Sequence, residues 1–76
     1  MSRHLPALRP SDVLHALTRA GFFVHHSTGS HHVLKHPDKP GVRVTLAWHN
    51  KDLKRRTLVS IIEQSGYTVE EFLDLC

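Results

Sequence analysis

The spacing of apolar and polar positions changes period several times along the chain, and each change marks an element. Val13, Leu14, Leu17 and Ala20 recur at helical spacing and give one apolar face. Pro10-Ser11-Asp12 precedes them; proline suits a first helical turn, and Ser11 or Asp12 can cap free amides. Gly21 stands where a left-handed helix end belongs. Phe22-Phe23-Val24-His25-His26 is aromatic and β-branched and predicts a strand. Ser27-Thr28-Gly29-Ser30 predicts a turn, His31 to His36 a second strand, and Pro37-Asp38-Lys39-Pro40-Gly41 a break. Val42-Arg43-Val44-Thr45-Leu46-Ala47 alternates cleanly, with Val42, Val44 and Leu46 on the face to be buried. After the polar stretch Asn50 to Arg56, a second helix is predicted. Thr57 is its cap, Leu58, Ile61 and Ile62 its apolar face, and Gly66 its end. Thr68-Val69-Glu70-Glu71 has the form of a capping box and opens a short last helix, pinned by Phe72, Leu73 and Leu75.

This order, α-β-β-β-α with a short C-terminal helix, predicts an α+β fold. Tight connections make the strands an antiparallel meander, and the helices cover one face of it as a two-layer sandwich. The other sheet face is left open. No repeat, linker or low-complexity run interrupts the 76 residues, so residues 1–76 read as one domain, with residues 1–9 as a leading arm. That length lies near the lower limit for a core without staples.

Composition removes several classes. The single cysteine, Cys76, excludes a disulfide framework within the chain and zinc sites built on several cysteines. A small chain without cross-links fits the cytoplasm. Residues Met1 to Pro6 carry no signal-peptide core, and no segment approaches the roughly 20 apolar residues of a membrane span. No membrane association is expected.

Charge adds a partner. The net charge is +3, but all ten Lys and Arg residues precede residue 57, whereas Glu63, Glu70, Glu71 and Asp74 follow residue 60. A basic body with an acidic tail suits a polyanion, whose counterions are released on contact. Eight histidines are present: His4, His15, His25, His26, His31, His32, His36 and His49. They are open to acid–base chemistry, metal binding, or added charge at mildly acidic pH.

Two segments can carry chemistry. In Gly29-Ser30-His31-His32, glycine allows a turn or the close approach of a phosphate, and Ser30 offers a hydroxyl and an amide. His31 and His32 are consecutive on a predicted strand and therefore face opposite sides. Ser30 and His31 diverge for the same reason, and no third group completes a triad. In Ala47-Trp48-His49-Asn50, His49 closes the third strand; Trp48 belongs to the core or its rim, or stacks on a base. Four of the six residues from Lys51 to Arg56 are basic, a ready phosphate site ahead of a helix. No His-x-x-x-His helix pair exists and Asp38 is the only carboxylate near the histidines, so no metal site is expected.

In order, Ala20-Gly21-Phe22, Gly29-Ser30-His31-His32 with His36-Pro37, Trp48-His49, Lys51 to Thr57, Gly66-Tyr67-Thr68 and Glu70-Glu71-Phe72 resemble the HicA toxins. These are small mRNA-cleaving proteins of type II toxin–antitoxin systems. The resemblance runs from about Pro10 to Leu75. It departs at His26, where the family often has Arg, at Ala47, where it often has Pro, and at Arg56, where Gly is common. It implies a fold like the double-stranded-RNA-binding domain, a HicB-type antitoxin as partner, mRNA as substrate, and His31 as the catalytic residue. The expected activity is metal- and cofactor-independent endoribonuclease cleavage by transesterification, in a chain expected to be a monomer. His31 is then the base, and His49, or else His32, the acid. Gly29, Ser30, His32, Lys35, Lys54, Arg55 and Arg56 are the expected RNA contacts. The alternatives are a module of the same fold that grips RNA without cutting it, and a histidine-rich metal-binding domain.

Overall fold

Helix α1 (Pro10–Arg19) begins on proline, whose missing N–H costs nothing in a first turn. The computed structural model describes residues 4–76; the first three residues of the expected leading arm, Met1, Ser2 and Arg3, lie outside the described residues. The N-cap of α1 is Arg9, two residues before the expected Ser11 and three before Asp12. Asp12 still serves the helix start, because its carboxylate accepts the Arg9 N–H at 2.9 Å. The helix buries Val13, Ala16 and Leu17. The described part of the arm is anchored: Leu5 is buried, and the Leu8 carbonyl accepts the Leu53 N–H at 2.8 Å.

Gly21 ends α1 for two physical reasons. Its φ of 100° lies in the left-handed region, and a Cβ there would come within 2.7 Å of the His36 ring. His36 occupies that space because its Nε2–H donates to the Ala20 carbonyl at 2.7 Å while its Nδ1 accepts the Asp38 N–H at 3.1 Å. Both nitrogens are therefore engaged, and His36 fastens the sheet to the end of α1.

The three strands are β1 (Phe23–Ser27), β2 (His31–His36) and β3 (Lys39–Ala47), antiparallel, with β2 in the centre. β1 runs one residue later than the apolar run suggested, and β3 starts three residues earlier. Lys39, Pro40 and Gly41 are extended, leaving only Pro37 and Asp38 as the turn. Proline is tolerable there because β3 is an edge strand. Leu34 and Val44 are paired and fully buried beneath the helices, and Leu46 is buried beside them. Val42 is only half-buried.

Helix α2 (Arg55–Ser65) buries Leu58, Ile61 and Ile62 and ends on Gly66 with φ 86°. Its N-cap is Lys54, three residues before the expected Thr57, and no side chain of the described residues caps the first turn. Gln64 reaches from α2 to the outer edge of β3, where its Oε1 accepts the Thr45 N–H at 3.0 Å. Helix α3 (Val69–Leu73) carries the expected capping box. The Thr68 hydroxyl accepts the Glu71 N–H at 3.1 Å, and the Glu71 carboxylate accepts the Thr68 N–H at 2.9 Å. Phe72 is fully buried. Both α1 and α2 share one core cluster with Leu34, Val44 and Leu46, so the helices form a single layer on one sheet face.

Candidate active site

β2 begins at His31, which places Ser30 in the preceding bend rather than on the strand. Strand alternation therefore does not govern Ser30, and its hydroxyl turns back onto the next ring. Ser30 Oγ lies 3.0 Å from His31 Nδ1. This corrects the expectation that the two side chains diverge. The turn beneath them is held by Thr28, whose Oγ1 accepts the His31 N–H at 3.1 Å and the Ser30 N–H at 3.3 Å. Thr28 N–H also donates to the His31 carbonyl at 2.8 Å. Thr28 enters the expectations only as part of the Ser27–Ser30 turn; a threonine two residues before a serine in a Gly-containing turn is the signal for this role. Gly29 does not have a positive φ, and among the described residues a Cβ there would meet nothing within 4 Å.

His31 is exposed and lies opposite Ala47 across the strand pair. The chain then passes through Trp48, whose N–H donates to the Ser30 carbonyl at 2.8 Å, and reaches His49. His49 is exposed, and its Nδ1 accepts the Lys51 N–H at 3.1 Å. That bond fixes the neutral tautomer: the proton sits on Nε2. Ala47, His49, Lys51, Asp52, Leu53, Lys54 and Thr57 line an open cleft of about 400 Å³. His31 and this cleft thus share Ala47 as their common wall.

His31 and His32 do take opposite faces. His32 turns toward the helix layer, is half-buried, and stacks on Trp48 with centroids 4.2 Å apart and planes 12° apart. Among the described residues, its buried Nδ1 has no hydrogen-bond partner. Lys35 lies on the open sheet face with His31, directly opposite Arg43. Arg43 is not among the expected RNA contacts, although the inward positions Val42 and Val44 turn it outward. Lys54 reaches the cleft beside His49, whereas Arg55 and Arg56 line a separate groove of about 550 Å³ with Val59, Ser60 and Glu63. The first turn of α2 carries no acidic residue, so Lys54, Arg55 and Arg56 add to the positive end of the helix dipole.

Among the described residues, no three His, Cys, Asp or Glu side chains converge as a metal-ligand set, and no helix is long and apolar enough to cross a membrane. The family model described as the HicA toxin of bacterial toxin–antitoxin systems matches residues 10–67, more than half of the chain. A search of curated proteins gave no match.

Proposed function

The chain belongs to the HicA toxin family of bacterial toxin–antitoxin systems, and from that membership we propose that it is a metal-independent endoribonuclease cleaving mRNA in the cytoplasm. The observation that carries this reading is the placement of His31. It stands exposed at the head of β2, paired with Ala47, which also lines the cleft holding His49 and Lys54.

The reaction is transesterification. His31 Nε2 takes the proton of a ribose 2′-OH, and the freed oxygen attacks the neighbouring phosphorus. The bond from phosphorus to the 5′-oxygen breaks, and that oxygen receives the Nε2 proton of the His49 imidazolium, a form in which Nδ1 is also protonated and the Lys51 N–H bond is given up. The products are a 2′,3′-cyclic phosphate and a 5′-OH end. The 2′-OH is required, so DNA is spared. One positioned base supplies roughly 10²–10⁴-fold. Charge stabilisation of the phosphorane by Lys54 adds to it. Lys35 and the turn at Gly29 hold the RNA chain, and Arg55 and Arg56 extend the basic surface. The family's association with an antitoxin supports a HicB-type protein as the partner that neutralises the toxin.

Expression in a bacterial host tests the reading. The wild-type chain arrests growth and yields RNA fragments with cyclic phosphate ends, with or without a chelator; His31→Ala does neither. If His31→Ala still arrests growth and degrades RNA, the assignment is wrong. If the chain binds RNA but leaves its ends unchanged, it is a binding module.

A further inference from the structure

We propose that Ser30 is a positioning residue rather than an RNA contact, and that its hydroxyl keeps the ring proton of His31 on Nδ1. The proposal rests on the reading of His31 as the base.

Ser30 is held within the chain through its amide, its carbonyl and its hydroxyl oxygen. Its N–H donates to Thr28 Oγ1 at 3.3 Å, its carbonyl accepts the Trp48 N–H at 2.8 Å, and its Oγ meets His31 Nδ1 at 3.0 Å. A phosphate could take the Ser30 N–H only by breaking its bond to Thr28. The carbonyl bond also ties the turn to the segment leading into His49, so Ser30 is fixed from both sides.

The direction of the hydroxyl bond decides what His31 can do. A serine hydroxyl can donate or accept, and the bond made by one ring nitrogen determines where the other carries its proton. If Ser30 donated, Nδ1 would be the acceptor and the neutral ring would hold its proton on Nε2, with no lone pair left for the ribose hydroxyl. If Ser30 accepts, Nδ1–H points into the turn and the Nε2 lone pair faces outward. Among the described residues Nε2 has no hydrogen-bond partner. Taking up the substrate proton makes both ring nitrogens donors, and Ser30 can then only accept. Only the accepting arrangement serves the ring before and after proton transfer without a rearrangement. Orienting partners of this kind act on working histidines throughout enzymology.

The test combines nitrogen NMR of the neutral His31 ring with steady-state cleavage of a short RNA. The wild-type ring is expected to carry its proton on Nδ1. In Ser30→Ala it reverts to the Nε2–H form that a free histidine ring favours. In that variant kcat falls about tenfold, the low end for loss of an orienting partner, while KM is unchanged. Ser30→Thr, which keeps a hydroxyl, restores both tautomer and kcat. A wild-type ring protonated on Nε2 overturns the proposal, whatever the activity. So does a Ser30→Ala variant with raised KM and intact kcat, the signature of a lost RNA contact. Failure of the parent reading shows separately, as cleavage by His31→Ala.

Discussion

The indole of Trp48 lies flat on the ring of His32, with 4.2 Å between centroids. Trp48 is also bonded through its N–H to the Ser30 carbonyl and is the residue just before His49. The stack therefore fastens the end of β3 at the point where the chain turns toward the cleft. His32, expected among the RNA contacts, is packed against Trp48 in the chain alone.

Two substitutions separate the ring of His32 from its nitrogens. An aromatic pair contributes about 0.5–1.5 kcal/mol beyond its buried area. A buried nitrogen without a partner, as at His32 Nδ1, costs about 1–3 kcal/mol. His32→Phe keeps the stack and removes that nitrogen, so its denaturation midpoint is expected at or above wild type with cleavage retained. His32→Ala loses about 1–2 kcal/mol and lowers kcat as the His49 segment loosens. A His32→Phe chain that folds but neither binds nor cuts RNA would show that His32 contacts substrate after all.

Gly29 has no structural demand for glycine, since its φ is not positive and a Cβ would meet only open space. What a side chain would obstruct there is a molecule outside the chain. Gly29→Ala is expected to melt within about 0.5 kcal/mol of wild type, as neutral surface changes do, yet to cleave RNA several-fold more slowly. Equal loss of stability and activity would mean that the glycine serves the fold.

Much of this was legible beforehand, and the misses share a cause. The core faces of α1, β3 and α2 follow from apolar spacing, because burial of Leu17, Val44, Leu46 and Ile61 dictates them. The separation of His31 from His32 follows from the two-residue period of a strand. What spacing does not encode is where a strand begins. Moving the start of β2 to His31 frees Ser30 to bond its neighbour, and moving the start of α2 to Arg55 brings Lys54 and Thr57 to the cleft. Such boundaries are set by tertiary contacts, among them the Trp48 to Ser30 and Leu53 to Leu8 backbone bonds. His36 stands in the sequence as part of the His36-Pro37 motif; its bond to Ala20 across 16 residues gives it a structural role.

Gly21 and His36 form a coupled pair. Gly21→Ala imposes a left-handed conformation on an L-residue, costing about 1–2 kcal/mol, and also forces the His36 ring away from Ala20. His36→Ala removes that obstruction but also the two hydrogen bonds. In the double variant the steric part disappears and the backbone part stays. Its loss is therefore expected to fall short of the sum of the single losses by about 0.5–3 kcal/mol in a denaturation cycle, as for residues in contact. Strict additivity would mean that the ring does not occupy the space beside Gly21.

Lys35 and Arg43 stand directly opposite each other on the open sheet face that also carries His31. Like charges in that position destabilise an antiparallel pair, and opposite charges contribute roughly 0.2–1 kcal/mol. The arrangement is costly for the isolated chain and favourable once a phosphate lies between the two cations. Arg43→Glu is therefore expected to raise the stability of the free protein by about 0.2–1 kcal/mol while weakening RNA binding. The weakening is greatest at low salt, and the dependence of affinity on salt becomes shallower as phosphate contacts are lost. Arg43→Gln separates the two effects: it relieves the repulsion without adding a negative charge, and lies between wild type and Arg43→Glu in both measurements. Cleavage at saturating RNA should be unchanged in both variants, because Lys35 and Arg43 lie four strand positions from His31 along β2, on the order of 13 Å. An Arg43→Glu chain that is more stable and binds RNA as tightly as wild type, with the same salt slope, would remove the open sheet face from the path of the RNA.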